Sequence, residues 1–174
     1  MAIITANPSI DVVLLAAHWT GHMPFLYDAS TAPGTMSGGL ALTERGLGAL
    51  AQNLSAKRLL IVADMPFFDS DPIPCIALQA SGLLRKPCTP HIATSDFLER
   101  QAPTYAALLR VQEHHDHVRV LLPGNALCAT GGQCLVYVDG QFIYRDRNHI
   151  RRNLPEPVQA RLATMIGLDV VLAP

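Results

Sequence analysis

Three runs of aliphatic and β-branched residues punctuate the chain: Ile10–Ala17, Leu59–Ala63 and Val118–Leu122. Each has the length of an ordinary strand and stops at a polar or proline-bearing cluster. Those clusters are His18-Trp19-Thr20-Gly21-His22, Asp64-Met65-Pro66 and Pro123-Gly124-Asn125. Ile10–Ala17, with Asp11 at its mouth, is apolar at successive positions and predicts an interior, parallel strand. Between the first two runs, Leu40–Ser55 sets Leu42, Leu47, Leu50 and Leu54 on one broad helical face. Thr43 interrupts that face, and Gly46 and Gly48 weaken the helix by about 1 kcal/mol each relative to alanine. Strand, helix, strand is the order of a right-handed crossover unit. Ile92–Arg110 predicts a second helix, with Ser95 as its cap, Phe97 and Leu98 inward, and Pro103 dividing it in two.

Two excursions interrupt this alternation. Residues 23–39 are longer than connections in a compact domain usually are; their Ser30 and Ser37 are poor nucleophiles, since neither sits at a strand-to-helix elbow. Phe67–Pro90 is broken by prolines and has room for a short helix over Cys75–Leu84. Glu113-His114-His115-Asp116-His117 precedes the third strand, away from the strand C-termini, and reads as a solvated turn rather than a metal site. After that strand comes a loop holding Cys128 and Cys134. A hairpin follows, with arms Cys134–Val138 and Gln141–Tyr144 around Asp139-Gly140, a pair suited to a tight turn. Asp146-Arg147-Asn148-His149 then sets a carboxylate three residues before an imidazole. The last elements are a helix over Val158–Ile166, ended by Gly167, and Leu168–Leu172, whose DVVL repeats that of the first strand.

Composition narrows the function classes. The 174 residues suit one domain, 1–174, with a core of its own; 49% are hydrophobic and 16% charged. Lys plus Arg number 13 against 14 acids, a balance that attracts neither nucleic acid nor an anionic membrane. No run approaches the roughly 18 apolar residues that span a bilayer, and the N-terminus is a poor signal peptide because it lacks a basic opening. No glycine-rich phosphate loop or convincing metal cluster is present, so no cofactor and no metal are expected. Cys75, Cys88, Cys128 and Cys134 allow three pairings. The local one, 75–88 and 128–134, closes two short loops worth roughly 2–3 kcal/mol each; the alternative is four reduced thiols. Disulfides imply a periplasmic or other extracytoplasmic setting, reduced thiols a cytoplasmic one. An exported setting without a signal peptide fits a piece of a larger exported protein.

DVVLLAAHW (11–19), RLLIVADMP (58–66), the IPC around Cys75, VRVLLPGNALC (118–128) and GGQCLVYVDGQFIYRDRNHI (131–150) together carry a resemblance. The last is the most specific. The chain resembles the SGNH hydrolase-like domain at the C-terminus of acyltransferase-3-type membrane O-acyltransferases, which decorate bacterial surface polysaccharides. That resemblance covers roughly residues 10–150. It implies a three-layer α/β fold around a parallel, flavodoxin-like sheet, with a small hairpin before the Asp-x-x-His. It also implies His149 as catalytic base and Asp146 as the acid that fixes its tautomer. Glycan or acyl groups would lie in a pocket near His18, Trp19, Asp64 and Asn125.

The departures are as definite as the matches. The family's Gly-Asp-Ser, which follows its first strand and brings the nucleophile, has no counterpart here. Its Gly and Asn oxyanion donors are not evident, and HIRRNLPEP replaces its His-Leu-Ser continuation. The expectation is therefore an N-terminally incomplete SGNH domain, part or degenerate relative of a serine-type O-acyltransferase or esterase acting on acylated surface polysaccharide. The alternatives are a non-catalytic carbohydrate-binding or assembly module of the same fold, and an unrelated cytosolic α/β protein. Truncation also predicts an exposed edge on the strand at 10–17. A second copy in a homodimer, a missing N-terminal segment, or Leu168–Leu172 folded back as a strand would cover it.

Overall fold

In a computed structural model of the chain, residues 2–29, 34–83, 88–129 and 131–172 are described. Ser30 and Leu84 lie outside them. The elements in chain order are α1 (Ala2–Ala6), β1 (Val12–Ala16), α2 (Trp19–His22), a 3-10 turn (Met23–Phe25), α3 (Met36–Asn53), β2 (Arg58–Val62) and α4 (Ile73–Ala80). Then come α5 (Thr94–Glu113), β3 (Val118–Leu121), α6 (Pro123–Leu127), β4 (Tyr137–Val138), β5 (Gln141–Phe142), α7 (Glu156–Met165) and α8 (Leu168–Leu172). They divide into two compact units. The first comprises residues 1–64, 100–122 and 168–174; the second comprises 65–99 and 123–167.

The first unit holds a parallel sheet of order β1-β2-β3. Val12 faces Arg58 and Ala16 faces Val62; Leu59 faces Val118 and Val62 faces Leu121. The three runs recognised as strands are thus the three strands of one parallel sheet. The central place falls to β2, whose Leu59, Leu60 and Ile61 are fully buried. The apolar run alone predicts an interior β1, and the missing Gly-Asp-Ser segment an exposed edge; β1 is an edge, its residues half-buried or exposed, Leu14 by 46%. The apolar run is a sound strand signal but says nothing of rank within the sheet. The edge strand still buries part of both faces, so aliphatic side chains remain favourable there.

Helix α3 starts before Leu40, because the Thr35 side chain accepts the Gly38 N–H at 3.2 Å and caps the helix at Met36. Thr43 does not interrupt the inward face: it is buried with Leu47 and Ala51. Gly39 is required where it stands: a Cβ there would lie 1.8 Å from the Met23 carbonyl oxygen. Pro103 does not divide α5, which runs unbroken from Thr94 to Glu113. Pro103 and Glu99 both sit on the solvent side, where water satisfies the carbonyl that the missing N–H leaves free. Ser95 is not the cap of α5 but lies in its first turn, bonded to Asp96.

Leu168–Leu172 is helix α8, not a strand covering β1. Arg58 of β2 donates to the Val171 carbonyl at 3.2 Å, and Val170 and Val171 line a hollow with Arg58, Leu60, Asp116 and Arg119. A short apolar segment with no strand to pair with satisfies its backbone locally, and a helix does that. The outer edge of β1 is left without a partner strand among the described residues.

The second unit is built around the hairpin. Asp139 (φ 48°) and Gly140 (φ 75°) both take the left-handed conformation, as a two-residue turn that follows strand twist demands. The paired ladder is shorter than the expected arms, joining only Tyr137 to Phe142 and Val138 to Gln141. Val136, Val138, Ile143 and Tyr144 point inward with Phe67, Phe68, Ile92 and Phe97, while Leu135 and Tyr137 are exposed. Pro123-Gly124-Asn125 does more than end a strand: it opens α6.

Candidate functional site

The sequence put the chemistry at Asp146-Arg147-Asn148-His149, and the backbone there is tightly specified. Tyr144 pairs with Ile150, Arg145 N–H donates to the His149 carbonyl at 2.8 Å, and Arg151 N–H donates to the Ile143 carbonyl at 2.8 Å. These bonds close a small antiparallel turn whose tip carries the four residues. Asp146 Oδ1 accepts the N–H groups of Asn148 (3.0 Å) and His149 (2.9 Å), the side-chain turn that Asp favours at such places. Both carboxylate oxygens lie 2.9 Å from His149 Nδ1.

That geometry sets the imidazole's tautomer. With Nδ1 facing a carboxylate, the neutral ring carries its hydrogen there and leaves the Nε2 lone pair outward. The ring is 57% exposed. Burial raises the Asp146 pKa, but the two backbone N–H bonds, the imidazole bond and the imidazole's charge outweigh it and hold the carboxyl at about 2. Arg145 Nε, 3.4 Å from Oδ2 and half exposed, adds little. The pair can therefore accept a proton at Nε2 and stabilise the resulting imidazolium.

Two residues outside the sequence-based candidates hold this turn in place. Phe68 N–H donates to the Arg147 carbonyl at 2.8 Å, and the Tyr144 hydroxyl donates to the Pro66 carbonyl at 2.7 Å. Their rings meet edge to face at 5.0 Å between centroids. Tyr144 is fully buried, and burial pushes its phenol above the usual range. The aromatic spacing Phe142-Ile143-Tyr144 beside the Asp-x-x-His was the available signal; its partner segment 66–68 is remote in sequence.

The remaining candidates have other surroundings. His18, Trp19 and Asp64 belong to the first unit and Asn125 to the second. Asp64 is buried, and its two oxygens accept the N–H groups of Trp19 (2.8 Å) and Thr20 (3.0 Å). It caps α2, using the charge preference of a helix start. The Trp19 indole donates to the Val62 carbonyl at 2.8 Å, and its ring is buried. Both residues expected at a pocket wall are thus occupied in tying β1 to the end of β2. The half-buried His18 ring lies over Gly21, where a Cβ would come within 2.4 Å of Nδ1. Asn125 is exposed on α6. Ser37 is an exposed residue in the first turn of α3, not at an elbow.

Cys75–Cys88 and Cys128–Cys134 are disulfides, with Cα separations of 5.8 and 4.0 Å, the local pairing favoured by loop closure. Two such bonds belong to an oxidising, extracytoplasmic setting. Among the described residues, no helix is long and apolar enough to cross a membrane, and no three His, Cys, Asp or Glu converge on a metal position.

Comparison with known proteins follows the same lines. The family model described as SGNH domain (fused to AT3 domains) matches residues 1–162. A search of curated proteins found no significant match. Among solved structures, the chain is similar to the periplasmic domain of the lipopolysaccharide acetyltransferase of Salmonella ser. Paratyphi A. The identity is 17% and the TM-score 0.57, over 92% of this chain and 57% of that one. The chain therefore spans little more than half the length of the structure it matches, and at that identity the likeness is one of fold: α/β, with the parallel sheet and the small antiparallel hairpin.

Proposed function

Because the chain belongs to the family of SGNH domains fused to AT3 domains, we propose that it serves acyl transfer or ester hydrolysis on an acylated surface polysaccharide, with His149 as general base and Asp146 as its orienting partner. The observation that carries this reading is the Asp146–His149 geometry: two 2.9 Å contacts fix Nδ1, and the side chain is 57% exposed. In the reaction, Nε2 takes the proton of a serine hydroxyl as its oxygen attacks the ester carbonyl. It then returns that proton to the departing alcohol, while Asp146 steadies the imidazolium between the two steps. No Gly-Asp-Ser occurs in these 174 residues, so the serine comes from a segment or partner outside them. The open edge of β1 offers such a segment, or a second copy, a strand to pair with. Within this reading residues 1–174 act as one SGNH-like domain, and the disulfides together with the periplasmic domain matched above favour the periplasm.

The absence of Gly-Asp-Ser favours a second reading, a non-catalytic glycan-binding module of the same fold. One experiment separates the two. The natural gene carries His149→Ala or Asp146→Asn, and the acyl content of the cell-surface polysaccharide is measured by NMR. Loss of acylation in His149→Ala, with a smaller loss in Asp146→Asn, supports the catalytic reading. Unchanged acylation in His149→Ala, with the protein present at normal level, overturns it.

A further inference from the structure

The second unit also holds a groove of about 640 Å³ between the segments 88–91 and 131–137. Thr89, His91, Gln133, Leu135 and Tyr137 line it, beside one cysteine of each disulfide. Its walls are fastened together. Ala93 pairs with Gln133, Cys134 N–H donates to the Ile92 carbonyl at 2.8 Å, and Thr94 N–H donates to the Gly132 carbonyl at 3.0 Å. Two disulfides and two backbone hydrogen bonds preorganise this surface.

The chemistry of the lining selects the ligand. Among the described residues, those lining the groove carry no Lys, Arg, Asp or Glu. Tyr137 is 46% exposed at one side, with its inner edge steadied by Phe142 at 5.3 Å between centroids. Phe142 in turn lies 5.9 Å from Tyr144, at the base of the Asp146–His149 turn. Gln133 is exposed, and its amide has no hydrogen-bond partner among the described residues; the same holds for the Tyr137 and Thr89 hydroxyls. Among the described residues, His91 bonds through Nδ1, towards the Thr89 carbonyl. An aromatic face with uncharged donors and acceptors around it fits a ligand with apolar C–H faces and many neutral hydroxyls. We infer that this groove holds neutral sugar units of the glycan, stacked on Tyr137 and hydrogen-bonded by Gln133 and His91. Segment 88–91 also borders a second hollow lined by Phe68, Asp69 and Asp71, and the Phe68 N–H binds the Arg147 carbonyl of the His149 turn.

Only the placement of the glycan beside the acylating site rests on the function proposed above; binding itself is tested separately. The full chain, disulfides intact and 15N-labelled, is titrated with maltohexaose, mannohexaose and chitohexaose, with hexagalacturonate as the charged control. Saturable millimolar shifts at His91, Gln133 and Tyr137 with a neutral hexasaccharide are expected, and none there with hexagalacturonate. Tyr137→Ala should weaken binding about fivefold or more, in line with the value of one aromatic contact, and Gln133→Ala serves if Tyr137→Ala fails to fold. No groove shift with any neutral probe, or equal affinity in a folded Tyr137→Ala or Gln133→Ala variant, overturns the inference. A negative result here leaves the acylation test untouched, and the reverse also holds.

Discussion

Asp64→Asn discriminates sharply between a ligand-facing and an internal role for the residue at the end of β2. Asp64 is 4% exposed and accepts two backbone N–H bonds, from Trp19 at 2.8 Å and Thr20 at 3.0 Å. A hydrogen bond to a charged acceptor contributes about 1.5–3 kcal/mol. Asparagine matches the shape and keeps one oxygen, so one bond survives in weaker, neutral form. The other position becomes an NH2 facing an N–H, donor against donor. The expected loss is about 2–4 kcal/mol, a large part of the 5–15 kcal/mol typical of a domain. Trp19 is the sole tryptophan and sits beside the carboxylate, so its fluorescence reports this junction directly. Urea unfolding followed at Trp19 should show a midpoint lowered by about 1–3 M for a slope near 1.5 kcal/mol/M, with a red-shifted emission already in the folded baseline. A midpoint shift worth less than about 0.5 kcal/mol, accompanied by lost polysaccharide acylation, would refute the internal role and return Asp64 to the ligand site.

Two further outcomes follow from single contacts. Folding lowers the Asp146 pKa from 3.8 to about 2, so its stabilisation is fully present above about pH 4 and is lost as the pH falls through 2. A carboxyl-carbon NMR titration should place its midpoint near 2; a midpoint near 4 would mean the Asn148 and His149 bonds are not made in solution. In α3, Gly39→Ala sets a Cβ 1.8 Å from the Met23 carbonyl oxygen, whereas Gly46 has open space. Thermal unfolding should show Gly39→Ala destabilised by about 3 kcal/mol or more, from forced overpacking against backbone, and Gly46→Ala stabilised by about 0.5–1 kcal/mol. Equal effects at the two positions would contradict the close contact.

What the sequence determined by itself is local. The three apolar runs are strands because each is short, β-branched and stopped by polar or proline residues. Asp139-Gly140 makes the hairpin turn because the left-handed backbone it needs suits those two residues. Gly167, with φ 76°, ends α7 for the same reason, and Asp146 reaches His149 because three residues of turn place carboxylate and imidazole together. The cysteine pairing was open between disulfides and thiols on sequence alone, and proximity of both local pairs decided it.

Only the tertiary structure decided the rest. An aliphatic run does not encode its rank in a sheet: by itself it reads as an interior strand, and only the missing Gly-Asp-Ser segment points to the edge where β1 lies. The same DVVL is strand at 11–14 beyond its first residue and helix at 169–172, because only the first finds a neighbour to pair with. Asp64 and Trp19 stand where a strand end usually meets ligand, yet each spends its polar atoms on backbone 43 or more residues away. Pro103 spares its helix because it faces water. The support of the His149 turn by Pro66 and Phe68, and the groove between 88–91 and 131–137, join segments some 40 to 80 residues apart. Local pattern sets what each segment can form; which surfaces it meets depends on the whole chain's burial, and only folding resolves that.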